Sequence, residues 1–302
     1  MKLIESKAEY IPQEEGLEGI YKQIELAGRT AYHSLDKITP DSAKDFVDRM
    51  IKSKHGAALE HGTVYLIGRF TSKKDLFKDE WALKYIENPY SKAVRIPLDE
   101  NNRYEGPQAL FVTTNYRVLI ENGWEKDLKS SKDPDAVFLY SPLEFHEKRY
   151  TMRFTCSRAI ANELVRHRVF SFLQESTRYI NYSKERHGGE ITFIEPSWKK
   201  EVTFDTNLHL YNALHAAEVS YFDLLNNGAT PQQARDVLPN ATKTELIMTG
   251  FASDYRHLFD LRLFGKTGAP HPDMKDLMQK AQKAMQEAGI WEDIMSKPSK
   301  FD

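Results

Sequence analysis

Six residues, Thr151 to Cys156, restrict the fold more than any other stretch of this chain. Met152, Phe154 and Cys156 alternate with Thr151, Arg153 and Thr155, the period of a strand with one face buried. From about Arg158 to Val165 the pattern changes to helical spacing, so a strand runs almost without a break into a helix. A chain built this way must mix the two element types. Its 302 residues and 35.0 kDa allow two domain-equivalents or one large α/β unit, and 40% hydrophobic residues suffice for a substantial core.

The flanking sequence extends the mixed pattern. Leu17, Ile20, Tyr21, Ile24 and Ala27 fall on one helical face, and Phe46, Val47, Met50 and Ile51 repeat it after a start signal at Thr39-Pro40-Asp41; two amphipathic helices are expected to open the protein. Thr63 to Phe70 is rich in β-formers and predicts a strand, as does Ile191 to Ile194. From Thr71 to about Phe145 the periodicity weakens between proline-bearing turns, which suggests an elaborated insert more than a second core domain. Leu208, Tyr211, Leu214, Val219, Phe222 and Leu225 mark a long helix ending near Asn227-Gly228. At Thr230-Pro231-Gln232-Gln233 an N-cap, a first-turn proline and a capping-box glutamine coincide ahead of a short helix. Two further helical patterns are expected, about Lys243 to Phe264 and Asp273 to Ala288.

Composition narrows the function. Forty-two basic against 44 acidic groups leave a formal charge of −2, so attraction for anions must be local and a general nucleic-acid coat is excluded. The lone cysteine, Cys156, forbids an internal disulfide framework and points to a reducing cytoplasm. No apolar run has the length of a signal peptide or a membrane span, so neither secretion nor membrane association is expected. His55, Glu60 and His61 lack the spacing of a zinc helix motif, and no metal site is predicted.

Local cationic charge is concentrated in one place. Arg166-His167-Arg168-Val169-Phe170-Ser171-Phe172-Leu173-Gln174-Glu175-Ser176-Thr177-Arg178-Tyr179 packs three guanidinium groups, an imidazole and two serines into fourteen residues. Arginine forks and hydroxyls suit a phosphate. A solvated basic turn with surface ion pairs is the alternative. The interleaved Val169, Phe170, Phe172 and Leu173 require part of the segment to be buried, and buried arginines need partners.

Arg-His-Arg, then serine three residues after the second arginine, then Ser-x-Arg-Tyr, resembles the signature of the flavin-dependent thymidylate synthases. Arg29-Thr30-Ala31-Tyr32 and His55-Gly56-Ala57-Ala58-Leu59-Glu60-His61 resemble that family's N-terminal landmarks; Ala234-Arg235-Asp236-Val237-Leu238-Pro239 and Leu261-Arg262 resemble its C-terminal ones. The resemblance spares only about Thr71 to Phe145. It implies a single α/β domain over the whole chain, with a twisted, largely antiparallel sheet flanked by helices. It also implies reductive methylation of deoxyuridine monophosphate (dUMP), with methylenetetrahydrofolate as carbon donor, flavin adenine dinucleotide (FAD) as hydride carrier and NADPH as reductant. Family members are homotetramers whose active sites draw on several subunits.

Carried over residue by residue, the resemblance assigns Arg166, His167 and Arg168 to the flavin, with Arg166 also near the nucleotide. His55 and Glu60 join the flavin and folate pocket, and Ser253 and His257 occupy flavin-binding positions. The nucleotide set is Glu163, Arg166, Gln174, Glu175, Ser176, Thr177, Arg178, Arg235 and Arg262. Arg262 takes the catalytic role, a fixed cation favouring loss of the uracil N3 proton.

Several positions depart from the family pattern. Ala57 replaces a common hydroxyl, Leu173 and Gln174 stand where asparagine and glutamate are frequent, and Phe251-Ala252-Ser253 replaces an Asn-Ala-Arg stretch. His257 replaces an asparagine. Glu163 replaces a frequent glutamine, and its carboxylate would repel a phosphate unless it faces the uracil edge or is protonated. The rival readings are a non-enzymatic nucleic-acid binder, stacking bases on Tyr179 and Tyr182, and a nucleotide-binding flavoprotein without methylation activity. Cys156, in an alternating strand, is expected to be a buried structural thiol rather than a nucleophile.

Overall fold

The computed structural model describes residues 1–301 apart from 104, 129–135, 140, 177, 179 and 185–187. The strands are β1 (Lys2–Ile4), β2 (Lys7–Tyr10), β3 (Thr63–Phe70), β4 (Lys92–Pro97), β5 (Gln108–Asn115), β6 (Ala136–Leu139), β7 (Arg149–Ser157), β8 (Ser171–Gln174), β9 (Thr192–Ile194) and β10 (Lys243–Phe251). The helices are α1 (Gly16–Ala31), α2 (Ser42–Lys52), α3 (Gly56–Leu59), α4 (Lys73–Leu76), α5 (Glu80–Ile86), α6 (Tyr116–Asn122), α7 (Arg158–Leu164), α8 (Phe204–Asn226), α9 (Pro231–Ala234), α10 (Ala252–Arg262), α11 (Pro272–Glu287) and α12 (Trp291–Met295).

Two four-stranded antiparallel sheets carry the fold, in the orders β2-β7-β10-β8 and β4-β5-β3-β6, beside a short parallel pair of β1 and β9. The α/β class with antiparallel sheets and flanking helices is thus observed, with the strands divided between two sheets. Short strands β1 and β2 precede the two helices expected to open the chain.

The first sheet is organised by the pairing of β7 with β10, in which Phe154 faces Leu246 and Met152 faces Met248. These side chains, with Cys156, pack under α7, α10 and α11 in the principal core. Burying a Phe- or Leu-sized side chain stabilises by about 1.5–3 kcal/mol, so this layer anchors the structure. The opposite face is not solvated as simple alternation predicts. Thr151, Thr155 and Thr249 are buried there too, Thr151 and Thr249 sharing a hydroxyl hydrogen bond of 2.8 Å. The cause is α1, which lies against β8 and β10 and covers that face.

Lys243 to Phe251 is a strand, not the first half of the expected helix; only Ala252–Arg262 is helical. Leu246, Ile247, Met248 and Phe251 satisfy helical spacing as well as a strand covered on both sides, and pairing with β7 and β8 decides the outcome. The stretch from Thr71 to Phe145, expected as an elaborated insert, supplies β4, β5 and β6 to the second sheet. All eight positions of β5 are buried. A strand covered on both faces has no alternation to detect, which accounts for the weak periodicity. The second core joins Leu66, Leu110 and Val112 to Ile20, Ile24 and Phe46 of α1 and α2. Those helices approach closely because Gly28 has no side chain: a Cβ there would lie 2.4 Å from the Phe46 ring.

Candidate functional site

Helices α7 and α10 grow from opposite ends of the β7–β10 pair and run back over it, so their C-terminal ends converge. Ser157 caps α7, its hydroxyl accepting from the Ile160 amide at 3.3 Å, and the helix places Glu163 one residue before its end. The chain then turns through Arg166, His167 and Arg168 into β8. Arg262 is the last residue of α10, where the helix dipole favours a cation. It donates from Nε to His167 Nε2 at 2.9 Å and from Nη1 to Glu163 Oε2 at 3.0 Å.

Three residues assigned from the sequence therefore form one cluster. His167 must accept on Nε2, which leaves its proton on Nδ1. Burial, reinforced by the Arg262 and His257 charges, lowers its pKa to about 4, so the ring is neutral at physiological pH. Glu163 offsets part of the Arg262 charge. A cation fixed from two sides can still direct its remaining donors outward at little entropic cost.

The second component is a cleft of about 460 Å³ lined by the chain from Arg168 to Ser171, where the Arg-His-Arg turn passes into β8. Arg168 and Phe251 line it, facing Tyr90 and Arg117 from the second sheet's connections. Glu60, at the end of α3, accepts from Arg117 Nη1 at 2.6 Å, and Arg117 Nε donates to Glu121 at 2.7 Å. Beneath them lies Arg149, only 8% exposed. It donates to the Glu60 carbonyl at 3.1 Å, Thr63 Oγ1 at 3.4 Å and Ser171 Oγ at 3.2 Å. These acceptors are all neutral. Its guanidinium also lies 5.5 Å from the centre of the Phe251 ring. Sequence reasoning missed Arg149, Arg117 and Lys92; a charged residue at the edge of an apolar strand was the available signal for the first.

The other assigned residues are distributed around these two features. His55 is exposed and its Nδ1 pairs with the Tyr32 hydroxyl at 2.9 Å. Ser253 contacts Lys92 through its hydroxyl and Glu147 through its amide, and Lys92 lies 4.4 Å from the Phe251 ring centre. His257 stacks on Phe301 at 5.7 Å, its buried Nδ1 without a hydrogen-bond partner among the described residues; burial lowers its pKa. Arg166 is exposed on the turn.

On the downstream segment, Gln174 reaches Thr244 Oγ1 at 3.3 Å. Glu175 is buried and turned inward, bonded to His33, to Lys243 Nζ at 3.1 Å and to the Glu245 amide at 2.9 Å. Within one chain it therefore meets protein groups rather than open solvent. Ser176 Oγ accepts from the Arg178 amide at 3.3 Å, a local turn that leaves Arg178 exposed. Thr177 lies outside the described residues. Arg235 opens a 3₁₀ turn after α9, whose capping box at Thr230 and Gln233 forms as the sequence predicts.

Two alternatives from the sequence can be placed against this geometry. Tyr182, proposed to stack on bases, packs edge-on against Tyr221 at 5.5 Å, while Tyr179 lies outside the described residues. Cys156 is fully buried, and burial pushes its thiol up to about 12, far from the thiolate a nucleophile requires. Among the described residues no group of three or more His, Cys, Asp or Glu is placed to hold a metal, and no helix is long and apolar enough to cross a membrane.

Comparison with known proteins meets the same segment. The chain is 37% identical over 110 residues to a flavin-dependent thymidylate synthase of Pyrococcus furiosus, covering 36% of this chain and 43% of that one. It is 32% identical over 164 residues to the enzyme of the same name from Pyrococcus horikoshii, covering 50% and 65%. The chain thus spans about half the length of the curated relatives it matches. Among solved structures, a UMP/dUMP methylase, PolB, from Streptomyces cacaoi bound with 5-Br dUMP aligns over 98% of this chain and 97% of that one, at 14% identity and a TM-score of 0.44. A family model described as thymidylate synthase complementing protein matches residues 108–288, from β5 through α11, and so includes the whole Glu163–His167–Arg262 cluster. By that match, the chain belongs to the family of thymidylate synthase complementing proteins.

Proposed function

We propose that this protein converts dUMP to thymidylate by reductive methylation, taking the carbon from methylenetetrahydrofolate and electrons from NADPH by way of FAD. The observation that carries this reading is the convergence of Arg262, Glu163 and His167 beside a basic, aromatic-lined cleft, within a family whose curated relatives are named flavin-dependent thymidylate synthases.

The cleft suits a flat anionic cofactor, since it joins the exposed guanidinium of Arg168 to the Phe251 ring and the polar Glu60 edge. Arg168, Glu60 and Phe251 would hold the flavin, with Ser253 behind Phe251. When bound, the flavin supplies hydride transfer. Arg262 would meet the uracil edge, stabilising negative charge as the N3 proton leaves. Glu163, one Arg262 nitrogen away, orients that cation and offers a carboxylate toward the same proton. Neutral His167 accepts from Arg262 without competing for the anion. Ser176, Arg178 and Arg235 would bind the nucleotide phosphate through a hydroxyl and charged forks. Gln174 and Thr177 would complete the nucleotide side, with Arg166 bridging to the cofactor. The inward position of Glu175 gives it a positioning part, bracing the loop that carries Ser176. His55 and His257 would flank the cofactor at more distant positions. We further infer a homotetramer in the cytoplasm, in which the exposed Arg178 segment of one subunit completes a neighbour's site.

The test is a visible spectrum of the purified protein with an assay of tritium release from 5-labelled dUMP. A yellow chromophore and release dependent on the folate and reductant are expected. A colourless protein, or no release under any reductant, overturns the proposal.

A further inference from the structure

Helix α1 ends in a turn that ordinarily takes glycine. Past Tyr32, the His33 amide donates to the Thr30 carbonyl at 3.3 Å and the Ser34 amide to the Arg29 carbonyl at 2.9 Å. That pair of bonds closes a helix whose next residue is left-handed, and glycine or asparagine is the usual occupant. Here the occupant is His33, at a φ of 50°. A Cβ makes this conformation costly, and the cost persists where surrounding contacts hold the residue in place. The contact is with Glu175, 142 residues away. Its buried carboxylate divides its oxygens: Oε2 accepts from Lys243 Nζ at 3.1 Å and from the Glu245 amide at 2.9 Å, while Oε1 meets His33 Nε2. Lys243 also pairs with Glu245 at 3.1 Å, so one ammonium serves two carboxylates and the imidazole serves the other Glu175 oxygen.

We propose that His33 is a positioning residue for nucleotide binding, tying the loop that carries Ser176 and Arg178 to the end of α1. A carboxylate can only accept, so His33 Nε2 carries the proton that it donates. The Glu175 amide donates to the Glu245 carbonyl at 2.8 Å while its side chain takes the Glu245 amide, so Glu175 clamps one residue of β10 through backbone and side chain together. His33 joins this clamp to a third element. Ser176 follows directly, its hydroxyl accepting from the Arg178 amide at 3.3 Å. A buried carboxylate deprived of a donor regains hydration by turning toward solvent, and the residue after it cannot then keep its place. The inference deepens the proposed function: the effect on dUMP rests on that reading, and the effect on the loop does not.

The test compares His33→Gly, which suits the turn better than histidine, with His33→Gln, whose carboxamide N–H reaches about as far as Nε2. A residue serving only the turn would favour the glycine variant; the brace predicts the reverse order. In steady-state assays of the full chain, His33→Gly should raise the KM for dUMP about fivefold or more with kcat within about twofold, because a phosphate contact acts equally in ground and transition states. His33→Gln should stay within about threefold of wild type. Hydrogen exchange at the Glu175 and Glu245 amides, both bonded across the clamp, should quicken about fivefold or more in His33→Gly and less in His33→Gln. His209→Ala, which removes an exposed imidazole on α8, should alter neither measurement. A wild-type KM in His33→Gly, a loss of kcat in place of the rise in KM, or a His33→Gln variant no better than His33→Gly overturns the role. If the wild-type chain makes no thymidylate, the proposed function fails, and exchange at the two amides still decides the brace: unchanged rates in His33→Gly overturn it.

Discussion

Removal of Arg262 should be readable first in the titration of His167. The imidazole is held at a pKa of about 4 against an ordinary 6.5, with burial the larger cause and the Arg262 cation the next. At roughly 1.4 kcal/mol per pH unit, the gap amounts to about 3 kcal/mol in favour of the neutral ring. Above pH 6.5 the ring is neutral in folded and unfolded chains alike, and the group contributes its full stability. Between 6.5 and about 4 only the unfolded chain takes up the proton, so stability falls on acidification, by about 3 kcal/mol once pH is below 4. In Arg262→Ala the burial, the larger cause, remains, so the midpoint should rise yet stay below the ordinary value. Histidine ¹⁵N resonances followed against pH, with His167→Gln to assign the signal, measure this directly. Urea unfolding at pH 7 and pH 5 gives the matching thermodynamics, with His167→Gln losing less stability than wild type. A wild-type midpoint near 6.5, or no rise in Arg262→Ala, would refute the neutral imidazole and the hydrogen bond it accepts.

Arg262→Ala should also slow turnover while flavin stays bound, since its proposed role is toward the uracil; normal single-turnover rates would remove that role. Arg178→Ala should weaken dUMP binding by about 1.5–3 kcal/mol, and unchanged affinity by calorimetry would take it out of the phosphate site. Cys156→Ala should retain thymidylate formation, because a thiol held near pKa 12 inside the sheet is no nucleophile; loss of activity in a folded variant would contradict this. Gly250→Ala should destabilise by about 1–3 kcal/mol in urea melts, since its Cβ would sit 2.2 Å from the Phe170 ring, itself fixed 4.8 Å from Tyr255; an unchanged midpoint would show that the ring can yield.

Much of this molecule could be read locally. Thr63–Phe70 is a strand over the stretch its β-formers indicate, and the Thr230 capping box forms where its spacing predicts. Both signals lie within a few residues. The failures involve burial on two faces or partners distant in sequence. Lys243–Phe251 carries apolar residues consistent with either period, and only β7 and β8, from elsewhere in the chain, select the extended form. The inward turn of Glu175 depends on His33, 142 residues away, and Arg149 becomes informative only once Glu60, Thr63 and Ser171 surround it. The cluster's membership was accessible through resemblance, but the ion pair between Glu163 and Arg262 was not, because nothing local fixes two residues 99 positions apart.

The antiparallel seam between β7 and β10 also sets a tolerance. Glu163 and Arg262 ride on helices rooted at its two ends, so sliding one strand by a single residue would displace one root by about 3.4 Å and reverse which side chains meet α7 and α10. A charged contact of 3.0 Å would not survive that slip. Every rung of the ladder therefore acts as a ruler for the chemistry above it. Lengthening the connections outside this seam can remodel the entrance without recalibrating the reacting groups, which leaves a lineage free to change what enters while keeping how it is handled.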